Sequence, residues 1–199
     1  ARFAYHDPEP PSGPLRVLAV GRLVEKKGFA HLIDALALAR EAGIDFDAQI
    51  IGEGELAGEL AQRIEDRGLS DSCRLLGART QNEVRSLLEN SDVFVAPCVP
   101  GADGNIDGLP TVILESMAVG TPVIATFVSG IPEVVINGRT GVLVPPASAS
   151  ALAEALGDVA SGRVPARDLA RGARVLIEET YDSHVQAARL ASLEGEEER

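Results

Sequence analysis

Two stretches of this sequence carry residues whose types and spacing could do chemistry. The first is Val20-Gly21-Arg22-Leu23-Val24-Glu25-Lys26-Lys27-Gly28. Gly21 permits a tight exit from a strand, and Gly28 lets the following helix pack closely. Between them stand one Arg and two Lys. Arg presents a planar fork to phosphate oxygens, and Lys a mobile point charge. Arg22 and Lys27 facing one pocket would neutralise a diphosphate; taken alone, the loop fits a solvated charged turn equally well. It is not a Walker A loop, because no Gly-Lys-Ser/Thr follows four variable residues after a Gly.

The second stretch runs from Asp107 through Gly108-Leu109-Pro110-Thr111-Val112 to Glu115 and on to Gly120-Thr121-Pro122-Val123-Ile124-Ala125. Pro110 suits the first position of a helix, where its missing N–H costs nothing. The N–H groups of Thr111 and Val112 are then left to meet an anion. Glu115 lies about one turn further on, and helical side chains lean towards the N-terminus. Its carboxylate would enter the pocket that Asp107, eight positions earlier, enters from the loop. Two carboxylates repel a phosphate unless they address hydroxyl groups, so the pattern fits a sugar-diphosphate pocket. The plainer alternative makes Glu115 an amphipathic-helix residue and Asp107 a loop solubiliser. Gly52-Glu53-Gly54 is half of a dinucleotide fingerprint and reads more simply as a strand-to-helix turn.

These residues need elements to hold them. Short apolar runs at Leu15 to Val20, Ala48 to Ile51, Cys73 to Leu76, Val93 to Ala96, Val123 to Ala125 and Val142 to Val144 predict strands buried on both faces. Helical periods follow them: Phe29, Leu32, Ile33, Leu36 and Leu38 after Gly28, then Leu56 to Ile64, Asn82 to Leu88 and Pro110 to Val119. Beyond Ala149 the signals are helical throughout: Leu152 to Val159, Leu169 to Ile177 and Val185 to Leu193. Strand and helix in alternation predict an α/β fold: a doubly wound, Rossmann-like parallel sheet of about six strands with C-terminal helices. Residues 1–14, rich in Pro, read as an interdomain linker, 15–182 as the ligand-binding domain, and 183–199 as a terminal helix with an acidic tail.

Composition narrows the function classes. The 199 residues are 45% hydrophobic but only 4% aromatic, so Val, Ile, Leu and Ala must build the core. With 18 basic against 30 acidic residues, the net charge of −12 argues against a nucleic-acid partner. No run approaches the ~18 apolar residues that span a bilayer, and a cytoplasmic location is expected. Cys73 and Cys98 offer neither a disulfide scaffold nor a zinc site and read as buried thiols. His6, His31 and His184 fall at no metal-ligand or triad spacing, and Asp103 and Asp107 more simply face water than hold a cation.

Gly21-Arg22-Leu23 through Lys27-Gly28, the Asp107 to Glu115 segment, and Gly120 to Ala125 together resemble the C-terminal, donor-binding domain of retaining GT-B glycosyltransferases. Within that class the likeness is to the large family 4 group, the glycosyl transferases group 1. Val93 to Pro97, Gly130-Ile131-Pro132-Glu133-Val134-Val135, Asn137-Gly138 and Thr140-Gly141 extend the likeness over nearly the whole chain. The resemblance implies that Arg22 and Lys27 bind the donor diphosphate and that Glu115 holds the ribose hydroxyls. The first acid of the E-x7-E pattern contacts the transferred sugar and is usually Glu; here it is Asp107. Gly108 to Val112 would cradle sugar and phosphate, with the base beside Gly77-Ala78-Arg79. The implied donor is a UDP-, GDP- or ADP-sugar, with no cofactor and no bound metal. The acceptor pocket of such enzymes belongs to an N-terminal domain that this sequence does not contain. That domain is the expected partner and a possible peripheral membrane contact, and this half alone is expected to be inactive. The alternatives are half of a sugar-nucleotide epimerase and a non-catalytic nucleotide-binding subunit. A nicotinamide dehydrogenase fits least, because the first turn lacks the Gly-rich fingerprint.

Overall fold

A computed structural model describes residues 4–101 and 108–181. Six parallel strands form one sheet: β1 (Leu15–Val20), β2 (Phe46–Ile51), β3 (Cys73–Leu75), β4 (Val93–Ala96), β5 (Val123–Thr126) and β6 (Val142–Val144), in the order β3-β2-β1-β4-β5-β6. The order reverses direction between β1 and β4, which makes the edge above those two strands the ligand crevice of a doubly wound sheet. β1 pairs with β2 from Leu15 opposite Phe46 to Val20 opposite Ile51. The sequence reading of an open, doubly wound α/β domain describes this architecture.

Helices cover both faces because the central strands are apolar on both sides. Helices α1 (Phe29–Glu41), α2 (Ala57–Asp66) and α6 (Ala149–Ala160) cover one face; α3 (Gln81–Glu89), α4 (Thr111–Val119), the short α5 (Ile131–Val134) and α7 (Ala166–Leu176) cover the other. A π-helical turn, Ile177–Tyr181, continues α7. On the first face Leu32, Ile33, Leu36 and Leu156 pack with Val17, Ala19 and Ile50. On the second, Ile113 and Met117 of α4 pack with Phe94, Val123 and Ala125. Large residues are few, so tight packing of small ones holds the layers: Ala35, Ala39 and Ala155 are all buried. Leu38, the one apolar residue of the α1 run that falls off the helical period of the others, faces solvent. Cys73 and Cys98 are free and buried, and burial pushes the Cys73 thiol up to about 12.

The Pro-rich opening segment has no regular secondary structure, yet part of it is bound to the domain. The His6 N–H donates to the Val119 carbonyl at 3.0 Å, and Arg171 of α7 donates to both carboxylate oxygens of Asp7 at 3.0 and 2.6 Å. The Arg174 guanidinium lies 5.9 Å from the Tyr5 ring centroid and donates to the Ala118 carbonyl. Within the stretch read as an interdomain linker, these contacts make residues 5–7 a strap across the C-terminal end of α4. The terminal segment expected at 183–199 lies outside the described residues.

Asp34 joins two helices of the first face, accepting from Arg63 at 2.8 Å and from Arg67 at 2.9 Å. Burial pushes its carboxyl up, but the hydrogen bonds and charge of Arg63, with the charge of Arg67, outweigh it and hold the group below the usual range. A depressed folded-state value adds stability above the unfolded value, near pH 4, that is lost as pH falls through the folded value. Asp34→Asn is therefore expected to unfold at lower urea than the parent at pH 7, with the gap between the two midpoints narrowing as pH falls below about 4. A constant offset across that range would refute the assignment.

Candidate functional site

Because all six strands are parallel, the loops that follow them emerge along one edge. Gly21 leaves β1, Arg22 is exposed, and Glu25–Lys27 form one turn of 3-10 helix before α1. The side chain of Arg22 makes no hydrogen bond or ion pair among the described residues. The aliphatic stem of Lys27 runs beside Gly21, where a Cβ would come within 3.1 Å of its Cδ and Cε. Both cations thus belong to one loop at the sheet's ligand edge.

That loop is locked by its neighbours. The Gly21 N–H donates to the Ile51 carbonyl at 2.9 Å, the Leu23 N–H to Glu53 at 2.8 Å, and the Leu56 N–H to Leu23 at 3.0 Å. On the other side the Val99 N–H donates to the Lys26 carbonyl at 3.0 Å. Two glycines make these approaches possible. A Cβ on Gly52, whose φ is +144°, would lie 1.9 Å from the Gly21 carbonyl oxygen; one on Gly28, at φ +68°, would lie 1.9 Å from that of Pro97. The Gly52-Glu53-Gly54 turn is accordingly the strand-to-helix turn read from the sequence. It is also the seat of the cationic loop, because a Cβ on Gly54 would meet the Leu23 backbone at 2.3 Å. Only the non-local contact reveals that second role.

The second stretch lies across the crevice. Pro110 is the N-cap of α4 rather than its first helical residue: its ψ of 122° is extended, and its carbonyl accepts from the Ile113 N–H at 3.0 Å. The shift by one position still leaves Thr111 and Val112 in the first turn, where N–H groups have no partner within the helix. Thr111 is exposed and Val112 half-buried. Glu115, half-buried, sits one turn further along α4 on the same helix that starts at the crevice. Gly108 is exposed and Leu109 half-buried, and Leu109 lies against the next loop, 3.7 Å from where a Cβ on Gly130 would stand. Asp103 and Asp107 fall outside the described residues. After β3, Gly77 turns at φ +69° and presents Ala78 and Arg79 to solvent at the same edge, tied in by the bond from the Gly52 N–H to the Gly77 carbonyl at 3.0 Å.

The loops after β1, β2, β3 and β4 are thereby joined into one framework. His31 stands on α1 and His6 in the strap, well apart in the chain order and the fold. Among the described residues no group of three or more His, Cys, Asp and Glu side chains could hold a metal ion. No helix among them is long and apolar enough to cross a membrane. A residue that the sequence reading passed over is Thr126, fully buried at the end of β5, whose hydroxyl donates to the Cys98 carbonyl at 2.5 Å. It fastens the end of β5 to the segment that leads into the second stretch; a Thr closing an apolar strand is the only signal the sequence offers.

Fold and crevice define the class: a Rossmann-like, open α/β domain that presents one loop-built edge. Comparison with known proteins narrows it. The family model for glycosyl transferases group 1 matches residues 4–176, and this chain belongs to that family. It is 36% identical over 180 residues to the amylovoran biosynthesis glycosyltransferase AmsK of Erwinia amylovora, covering 90% of this chain and 44% of that protein. The Anabaena protein HepE (Alr3699), solved in complex with UDP and glucose, superposes with a TM-score of 0.79 at 25% identity, over 92% of this chain and 49% of the other. The C-terminal domain of the group 1 glycosyl transferase LpcC from Francisella tularensis gives a TM-score of 0.75 at 25% identity, covering 86% and 88% of the two chains. These neighbours share the GT-B type of glycosyltransferase architecture. The chain spans about half the length of the curated relatives it matches.

The locking of the first loop has a direct consequence. Gly52→Ala should cost roughly 1–3 kcal/mol, the range for substitutions that force backbone shifts in a packed site. Urea denaturation checks this, and an unchanged midpoint would mean the loop is free to move away from β2.

Proposed function

We propose that this chain is the nucleotide-diphosphate-sugar binding domain of a retaining GT-B glycosyltransferase of family 4. The observation that carries the reading is the framework around Arg22 and Lys27: a dipositive loop, fixed by backbone bonds to Glu53 and Val99, opposite the N-terminus of α4. Two cations on a fixed backbone, with the first-turn N–H groups of a helix at the same edge, suit a diphosphate, whose charge grows as it departs from a sugar. The complexes of HepE with UDP and with UDP-glucose support the same class of ligand.

In this reading Arg22 and Lys27 neutralise the departing diphosphate, with Gly21 and Gly108 to Val112 lining its path. The first-turn N–H groups of α4 complete the anion site, and Glu115 accepts from the ribose hydroxyls. Ala78 and Arg79 border the base. Asp107 addresses the transferred sugar. The donor is a UDP-, GDP- or ADP-linked hexose, and displacement proceeds on one face of that sugar, without a metal ion and without a cofactor. A separate N-terminal domain of the whole protein supplies the acceptor site and any contact with a membrane surface, and the setting is cytoplasmic. Holding acceptor and donor in reactive geometry is worth roughly 7–11 kcal/mol, so this half alone binds donor and transfers nothing.

Calorimetry with UDP, GDP and ADP tests the reading. Arg22→Ala and Lys27→Ala should each weaken the preferred diphosphate by on the order of 1.5–3 kcal/mol, the range for hydrogen bonds to charged groups. Corresponding nucleosides should bind far more weakly, and EDTA should leave diphosphate affinity unchanged. Unaltered affinity in both variants would put the pocket elsewhere, and a strict Mg²⁺ requirement would return Asp103 and Asp107 to consideration as ligands.

A second experiment isolates the ribose contact. Glu115→Gln replaces an acceptor oxygen by a donor and should weaken the nucleotide diphosphate while sparing inorganic pyrophosphate. Equal weakening of both would indicate a collapsed pocket instead of a lost hydroxyl contact.

A further inference from the structure

Phe127 is the most exposed large hydrophobic side chain among the described residues, at 66%. The other two, Leu38 and Val175, lie on the outer surfaces of α1 and α7, whereas Phe127 stands at the ligand edge, immediately after β5. The backbone that carries it is fixed. The Phe127 N–H donates to the Val144 carbonyl at 2.9 Å, and the Val128 N–H to Thr126 at 2.8 Å. Thr126 is itself bonded to the Cys98 carbonyl, and Val128 is buried in the core with Ile113 and Met117 of α4. Two residues on, Ser129 holds a φ of 49°, a left-handed conformation that costs a non-glycine residue stability. A loop held so firmly, and in part against its own preference, keeps a phenyl ring in water.

The position of the ring says what it meets. The same short loop contains Gly130, which lies against Leu109 of the segment leading into α4. Phe127 is therefore on the loop that borders the cradle assigned above to sugar and phosphate, three residues from that approach. The base, by contrast, is assigned to Ala78 and Arg79 beyond β3, at the other end of the strand order. Four inter-strand intervals separate β3 from β5, about 19 Å at the usual spacing. An aromatic side chain there is out of reach of the base. It is also a poor docking face for a protein domain, because no other large hydrophobic side chain among the described residues is exposed beside it. A single flat apolar ring beside a polar crevice fits one face of a pyranose, whose axial C–H groups form an apolar patch between hydroxyls.

We propose that Phe127 is a specificity-determining residue that stacks on a pyranose ring at the sugar end of this crevice, without contributing to nucleotide binding. The inference rests on the donor-site reading of the crevice. The ring belongs either to the sugar carried by the donor or to the terminal residue of a glycan acceptor, and two titrations separate these sources. In the first, UDP against UDP-glucose, GDP against GDP-mannose and ADP against ADP-glucose are titrated into the parent chain, Phe127→Ala and Phe127→Trp. In the second, a mixture of short gluco- and manno-oligosaccharides is titrated into each chain saturated with its preferred diphosphate.

Phe127→Ala is expected to lose about tenfold in affinity in one of the two titrations, the factor supplied by burying one ring face. Affinity for the bare diphosphate should stay within twofold, and Phe127→Trp should restore sugar binding. A loss in the first titration assigns the donor's sugar; a loss in the second assigns the acceptor. The proposal is overturned if Phe127→Ala binds sugar as the parent does in both, or if the parent gains nothing from sugar in either. It is equally overturned if the bare diphosphate weakens as much as its sugar conjugate, which would make Phe127 a packing residue. Failure of the parent to bind any diphosphate would instead defeat the donor-site reading, and the oligosaccharide titration, run without nucleotide, would then decide Phe127 by itself.

Discussion

The ligand edge depends on backbone packed directly against backbone. At Gly52 and Gly28 there is no room for even one carbon atom between the loop after β1 and the loops after β2 and β4. Contact that close lets N–H and carbonyl groups of different loops bond to each other, so the polar backbone that a loop normally leaves to water is used to fix it. The result is a rigid seat for Arg22 and Lys27. Two like charges held near one another repel, and a mobile loop would let them drift apart. Here the backbone that carries them is fixed by the neighbouring loops, so neither side chain has to reorganise the loop in order to act.

Helix α4 is the second fixed part, and it is anchored at both ends by different means. Its first turn follows Pro110 at the N-cap, whose fixed φ directs the chain into the helix, and its middle is buried through Ile113 and Met117. Its last turn is tied to His6 and to Arg174 of α7, while Tyr5 lies against Arg174 and Asp7 is bonded to Arg171 beside them. The strap crosses the end of the helix far from the ligand edge, where the carbonyls of the last turn need donors. His6 supplies one for Val119, and Arg174 supplies one for Ala118. A segment whose composition suggests a spacer is thus used to finish a helix, while acid–base pairs such as Asp34 with Arg63 stitch the opposite layer.

Several of these features were legible in the sequence for a physical reason. Apolar runs bounded by Gly and Pro gave the parallel sheet, since only strands buried on both faces need continuous hydrophobicity. Helical periods between them gave the crossovers, and the parallel arrangement then sent Arg22, Lys27, Arg79 and the start of α4 to a common edge. The short α5 at Ile131–Val134 had no such signal, because four residues are too few to show a period. Helix α4 starts one residue beyond Pro110, the residue expected to open it, since proline's fixed φ suits the N-cap and the first helical position alike, and only ψ distinguishes them.

Residue type and order by themselves determined the fold class, and the charge and hydrogen-bonding character of the edge to which the loops after the strands go. They did so because periodicity and loop chemistry are local properties of the chain. The tertiary structure alone decided which loops touch. Gly52 is a turn glycine until the Gly21 carbonyl is seen where its side chain would be; Asp7 is a linker residue until Arg171, distant in sequence, closes on it. Phe127 is one more apolar residue at the end of a strand until its exposure beside the Leu109 loop is measured. Such contacts join positions far apart in the chain, and no local pattern encodes which distant partner will stand opposite.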